Sequence, residues 1–354
     1  MSRFIQLHAL TVYPLSNPNR DDTGRPKSAT YGGVPRLRLS SQALKRAIRM
    51  SSVFQSELDG HLGERTQRIG DVVMKALAEQ GVEDEERRLD IAETVTGVFG
   101  KIDAARMKED GAVRTRQLAF ISPDERRRAI ELAEQAAAGE KMPSPAELKK
   151  EILRTADGAA DIAMFGRMLA DDPGYNREAA VQLAHAFTTH RVIVEDDFYT
   201  AVDDLKEPAE DTGAGFIGET GFGSGVFYLY GCIDRDLLER NLEGDAALAS
   251  RAIAAFVSAF TSATPSGKRT TFAHQTRASY LLAEKGEQQP RSLAAAFLSG
   301  VHDDDLLIAS IDALDKLRDA LDNAYGPCAD ARVTLNVSKG ESTIADVIAF
   351  AAEG

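Results

Sequence analysis

The sequence has no tryptophan, only two cysteines, and aromatics at 6%. Two thiols, Cys232 and Cys328, can supply neither a disulfide framework nor a four-cysteine zinc site. No run of about 18 uncharged apolar residues is present, so a bilayer-spanning helix is not expected. The opening MSRFIQLHALTVYP is too short and too alternating for a signal peptide. A cytoplasmic protein without membrane contact is the resulting expectation. There is no GxxxxGK[ST] loop: Ser266-Gly267-Lys268-Arg269 lacks both the first glycine and the hydroxyl. No nucleophile elbow, paired cysteines or zinc-protease spacing occurs, so neither a cofactor nor a metal is expected. What the chain does hold, 43% hydrophobic and 27% charged residues over 354 positions, suits a soluble globular protein. Abundant Ala and Leu favour helix over an all-β architecture.

A net charge of −13 argues against a nucleic-acid partner, yet the charge is unevenly placed. Residues 1–50 carry nine bases (Arg3, Arg20, Arg25, Lys27, Arg36, Arg38, Lys45, Arg46, Arg49) and two acids, Asp21 and Asp22. Residues 246–283 carry no acid and contain Arg251, Lys268, Arg269 and Arg277. Salt limits the field of a charge to about 8–10 Å, so two basic islands on an acidic body make a polyanion track if folding joins them. A solvated basic face is the plainer alternative.

Periodicity supplies the elements. Phe4–Val12 alternates as a strand, residues 14–35 form an irregular Pro/Gly loop, and Arg36–Leu39 alternates again. Ser40-Ser41 offers a cap for a helix to about Phe54, with Leu44, Ala47 and Ile48 as its apolar stripe. From about 60 to 190 the pattern is almost wholly helical. Ser122-Pro123-Asp124-Glu125 and Ser144-Pro145-Ala146-Glu147 mark two helix starts. Further helices are expected over 158–170 and 178–189, then strands at 191–194 and 226–233. A helix after 246, a strand at 279–283, a helix at 305–325, a strand at 332–337 and a terminal helix complete the pattern. Strands at both ends with a helical middle predict an α+β sheet domain interrupted by an inserted helical domain.

Four features bear on function. Gly213-Ala-Gly215-Phe-Ile-Gly218 has dinucleotide-binding spacing, but neither a strand before it nor a helix after it. Six glycines in 213–225 suggest a flexible loop instead. His185 and His190 could serve acid–base chemistry in an RNase, although five residues apart they do not share a helix face. RLRLSSQALKRAIR (36–49) reads as a phosphate-binding unit. Ser40, Ser41 and the amides of the helix start would bind phosphate, Gln42 would add an amide, and Lys45, Arg46 and Arg49 would supply charge. In the segment 191–225, Phe198 and Tyr199 stand among five acids. An acidic, aromatic arm suits docking on a basic partner surface, and this chain's own N-terminal island is one. That pairing suggests head-to-tail self-association.

Several blocks together resemble the backbone, guide-RNA-binding subunit (CasC-type) of the type I-E CRISPR Cascade complex. They are FIQLHAL, Asn19-Arg20-Asp21-Asp22, Tyr31-Gly32-Gly33 leading into RLRLSSQALKRAIR, ADIAMFGRM, and the run from AHAFTTH through FYTAVDDL to SGVFYLY. The resemblance implies an RRM-like (ferredoxin-like) palm from both chain ends (1–58 and 226–354). It also implies an inserted helical fingers domain (59–190) and an extended thumb hairpin (191–225). Copies would stack head-to-tail on crRNA among other Cascade subunits. The target DNA strand would pair with the guide in segments, and the chain would have no catalytic role. Arg20, Lys27, Ser40, Gln42, Lys45, Arg46 and Arg49 would contact RNA. So would Lys268 and Arg269, in a turn like the family's basic PGxKxRT. Met168 would wedge near a displaced nucleotide, with Arg167 beside it and Thr200 on the thumb. Phe198 and Tyr199 would contact RNA or the next subunit. A metal-independent RRM-like endoribonuclease remains the alternative reading of the same fold.

Overall fold

A computed structural model describes residues 2–201 and 216–353. The chain forms two compact units. One takes Met1–Phe54, Leu183–Cys232 and Ile253–Gly354, and the other takes Gln55–Gln182 and Ile233–Ala252. In chain order the strands are β1 (Phe4–Ser16), β2 (Ser28–Tyr31), β3 (Val34–Leu39), β4 (Glu64–Thr66) and β5 (Ala119–Ile121). Then come β6 (Val181–Leu183), β7 (Ala186–Thr188), β8 (Glu195–Ala201), β9 (Phe216–Asp234), β10 (Ala278–Gly286) and β11 (Ala331–Asn336). The fold is α+β, as the residue pattern indicates.

The first unit is built on one large sheet with strand order β11-β10-β1-β9-β7-β3-β2, and β8 adds a hairpin on β9. The amphipathic alternation expected for β1 is only half of its structure, because both of its faces are buried from Ile5 to Thr11. On one face Leu10, Tyr228, Tyr280 and Leu282 pack with Ile311 and Leu314 of the helix Leu306–Tyr325. Near the other, Phe256 and Phe260 of the helix Ala246–Ser262 close on Gly231 of β9. Polar residues of the buried strands pair internally. Leu293 N–H donates to the Tyr228 hydroxyl at 3.0 Å, which lies 2.9 Å from His8 Nδ1. His8 Nε2 lies 3.3 Å from Glu284, whose carboxylate also takes Arg291 and Arg332, each at 2.7 Å.

The second unit is largely helical. Helices Ile69–Glu79, Glu85–Thr96, Pro123–Ala137 and Pro145–Ile152 enclose Val73, Leu77, Val95, Leu132 and Leu148. Both expected capping boxes form, Ser122 with Glu125 and Ser144 with Glu147. The short pair β4–β5 interrupts the helices.

Six local expectations are corrected. Residues 14–35 hold β2, which pairs with β3 across Gly32 and Gly33. Their φ values of +61° and +78° permit the tight primed hairpin turn. Residues 178–189 form β6 and β7 instead of a helix. Their Ala and Leu content favours helix, but β7 is inserted between β3 and β9 and tertiary pairing overrides propensity. Residues 191–194 are irregular, and β8 starts at Glu195. The helix from Ser41 ends at Arg49 and a separate one runs Ser52–Glu57, while the helix expected over 158–170 is confined to Ala160–Phe165. The described part of the glycine run lies in β9 and is no loop. A Cβ on Gly218 would sit 2.4 Å from the Tyr199 ring, and one on Gly223 would sit 2.8 Å from Leu37. Here glycine admits close neighbours. Residues 213–215 of the nucleotide-like motif lie outside the described residues.

Candidate nucleic-acid interface

The helix α1 (Ser41–Arg49) starts where β3 ends. Ser40 caps it by accepting the Ala43 N–H at 3.2 Å. Leu44 and Ile48 anchor it inward, which turns Gln42 and Arg46 to solvent and leaves Lys45 half-buried. Two amides expected to meet phosphate are already engaged. The Ser40 N–H donates to Asn19 Oδ1 at 2.8 Å, and the Ser41 N–H donates to His185 Nδ1 at 3.0 Å. Arg49 is buried at 8% exposure, so of the three cations expected to supply charge only Lys45 and Arg46 reach the surface.

Asn19 connects α1 to the loop before it. Its carbonyl accepts the Lys27 N–H at 2.8 Å, and Lys27 O in turn accepts the Arg38 N–H at 2.8 Å. Asp21 braces the turn from Thr23 to Arg25, and its hydrogen bond from Thr23 holds its carboxyl below the ordinary value. Arg20 is exposed on this loop and Lys27 is half-exposed. Pro18, one residue earlier, meets the second basic island: a Cβ on Gly267 would sit 2.5 Å from Pro18 O. Lys268 follows at φ +52°, half-buried, and Arg269 Nη2 donates to Thr264 O at 2.8 Å.

The two islands therefore meet inside one unit. A cleft of about 1100 Å³ lies between α1 and the segment 258–279, lined on its basic side by Arg46, Arg269 and Arg277. Met50 and Val337 contribute apolar surface, and no Asp or Glu is among the lining residues. An acid-free cleft with three arginines, on a chain of net charge −13, is suited to polyanion binding. Among the described residues no group of three or more acids, histidines or cysteines is placed to hold a metal.

The β8–β9 hairpin belongs to the same unit. Phe198 is 70% exposed and Thr200 is exposed, while Tyr199 lies across Gly218, its partner in register. At the base of the hairpin Asp196 pairs with Arg25 at 3.0 Å, and Asn17 donates to Gly221 O at 2.9 Å. Residues 202–215 of the expected thumb lie outside the described residues.

The histidines of the nuclease reading are both tied to backbone. His190 Nδ1 bonds Arg191 O at 3.0 Å and its Nε2 accepts the Val226 N–H at 3.2 Å. Burial lowers its pKa.

A family model described as CT1975-like protein matches residues 5–353. The chain belongs to the CT1975-like protein family. Its fold agrees with a chain of a solved structure described as "CRISPR RNA-guided surveillance complex, pre-nicking". The two are 31% identical over 99% of each chain, with a TM-score of 0.86. A second, from a "CRISPR RNA-guided surveillance complex", is 27% identical, with 99% of this chain and 100% of that chain covered and a TM-score of 0.74. Among curated proteins no match is found. The CasC-type resemblance carried by the sequence motifs agrees with this family and with both structures.

In the second unit, this CT1975-like chain separates two neighbouring residues expected to act together. Met168 is 78% exposed just past the helix Ala160–Phe165, so it is a surface residue and no part of the core. Arg167 is turned inward, at 5% exposure, and pairs with buried Glu125 at 2.5 Å. It also donates to Arg154 O at 2.7 Å and Tyr175 O at 3.1 Å. A guanidinium committed to four internal acceptors is a brace for the Met168 loop, which corrects its placement among solvent-facing RNA contacts. Arg277 was named only as a member of the second basic island, Asn19 only within a family block and His185 only in the nuclease reading. The hydrogen bonds of Asn19 and His185 to the start of α1 had no signal in the sequence.

Proposed function

We propose that this chain is a non-catalytic, crRNA-binding backbone subunit of a type I-E CRISPR Cascade complex. Copies polymerise head-to-tail along the guide RNA. They present it in segments for pairing with target DNA, in the cytoplasm and alongside other Cascade subunits. The acid-free cleft uniting Arg46 with Arg269 and Arg277 carries this reading, because a polymeric polyanion is the ligand that repays such a concentration of cations. Phosphate contacts of this kind grip backbone and leave sequence to base pairing.

An RRM-like palm is supported by the order β10-β1-β9-β7, with α1 between β1 and β7 in sequence and the helix Ala246–Ser262 between β9 and β10. The segments 59–190 and 191–225 correspond to fingers and thumb in this reading. Exposed Phe198, exposed Met168 and the acids around Phe198 suit contacts with RNA or a neighbouring copy. The backbone-tied rings of His190 and His185 favour the non-catalytic reading over the nuclease one.

The test is a gel-shift with a repeat–spacer transcript and the Arg46→Glu, Arg269→Glu double variant. Loss of the shift with an unchanged circular dichroism spectrum is the expected result. An unaltered shift rejects the cleft as the RNA site. Electron microscopy of co-expressed protein and transcript reads the filament directly.

A further inference from the structure

His185 lies at the junction of three elements: it precedes β7, faces Arg38 of β3 and meets the first turn of α1. Its Nδ1 accepts the Ser41 N–H at 3.0 Å and lies 3.4 Å from Arg38 Nη1. An acceptor at Nδ1 carries no proton, so the free ring is neutral with its hydrogen on Nε2. The charged groups acting on it are Arg38 and Lys27, both positive, and no carboxylate among the described residues offsets them. Burial, then Arg38, then Lys27 hold its pKa below the ordinary value. A cluster of two cations and an imidazole without a counter-charge is electrostatically incomplete. One phosphate group would complete it.

We propose that His185 is a proton-coupled phosphate contact. When a backbone phosphate seats against Lys27 and Arg38, the ring takes one proton from solvent at Nδ1 and swings off the Ser41 N–H, whose peptide plane is held by Leu44 N–H on Ser40 O; the freed Ser41 N–H then donates to the phosphate. The new Nδ1–H bond uses a proton released by the buffer, one hydrogen bond is exchanged for another, and no electrons move. In the absence of the anion the same proton would be driven off by Arg38 and Lys27 and would break the Ser41 bond. This rests on the RNA-binding reading above and adds a phosphate contact at Lys27, Arg38 and His185, none of which lines the cleft of Arg46, Arg269 and Arg277. The imidazole acts as the acceptor for Ser41 in the free protein and as a third cation in the complex.

The experiment is calorimetry of the full chain with oligouridylate in two buffers of different ionisation enthalpy, repeated from about pH 8 to about pH 6, the range in which a histidine titrates. Wild-type protein is expected to take up a fraction of a proton on binding and to bind at least about threefold tighter at the acid end, because binding coupled to proton uptake strengthens on acidification. In His185→Asn the amide oxygen can still accept from Ser41 but does not titrate. That variant is expected to lose both the uptake and the pH dependence. Equal pH dependence in the variant, or binding without proton uptake in the wild type, overturns the role of His185 and leaves RNA binding standing. Absence of wild-type binding at every pH overturns the RNA-binding reading itself.

Discussion

Single side chains in this protein divide by whether their polar atoms look inward or outward, and sequence neighbours differ sharply. Arg167 and Met168 are adjacent, yet one is an internal brace and the other is 78% exposed. Arg167→Ala would leave buried Glu125 without its cationic partner, holding only the Ser122 and Arg154 amides, which costs about 3–5 kcal/mol. Denaturant unfolding of the second unit should show that loss, while Met168→Ala should leave the same transition within about 0.5 kcal/mol. A second residue-scale expectation concerns pH. Burial outweighs the pull of Glu284 and keeps the His8 pKa below its ordinary value. The unfolded chain therefore binds a proton near pH 6.5 that the folded chain does not. That contribution to stability is complete above about pH 6.5 and is lost as pH falls through the folded-state value. His185 and His190 are shifted the same way, so His8→Asn should flatten part of the acid-side slope in thermal melts, not all of it.

Among the elements, the β8–β9 hairpin shows how glycine acts in a strand. Gly218, Gly221 and Gly223 admit the Tyr199 ring, Pro26 and Leu37 respectively. A larger residue at 218 must displace Tyr199. Gly218→Val is expected to cost about 1–3 kcal/mol through overpacking if the hairpin stays paired. Assembly on RNA should fall by more than monomer stability does, which sedimentation of the protein–transcript mixture measures. Helix α1 is fixed by the cap at Ser40, by Leu44 and Ile48, and by two side-chain acceptors from outside the helix, Asn19 and His185. The capped start and apolar stripe were legible in RLRLSSQALKRAIR. The engagement of its first amides was not, because Asn19 and His185 reach it only through loop closure and β7 pairing. The same non-local pairing turned the Ala-rich 178–189 segment from expected helix into strand.

At the scale of the whole molecule, the acidic body and the basic cleft have separate roles. Net charge of −13 repels polyanions at a distance, and salt screening confines attraction to the cleft. RNA affinity should therefore fall linearly with the logarithm of salt concentration. Each phosphate neutralised on a single strand contributes about −0.7 to that slope. Replacing Arg46 and Arg269 by Gln should make the slope shallower by about 1–2, read from filter-binding titrations across a salt series.

The amino-acid order alone determined the α+β class, the capped helix starts and the two basic islands, because periodicity, capping and charge are local properties. It also carried the family, through several motifs in a fixed order. Which cations share a cleft was decided by the tertiary structure, since Arg46 and Arg269 are more than two hundred positions apart and meet only where Gly267 closes on Pro18. Which cations are spent internally was decided there too. Burying Arg49 or pairing Arg167 with Glu125 depends on packing partners that no local pattern specifies.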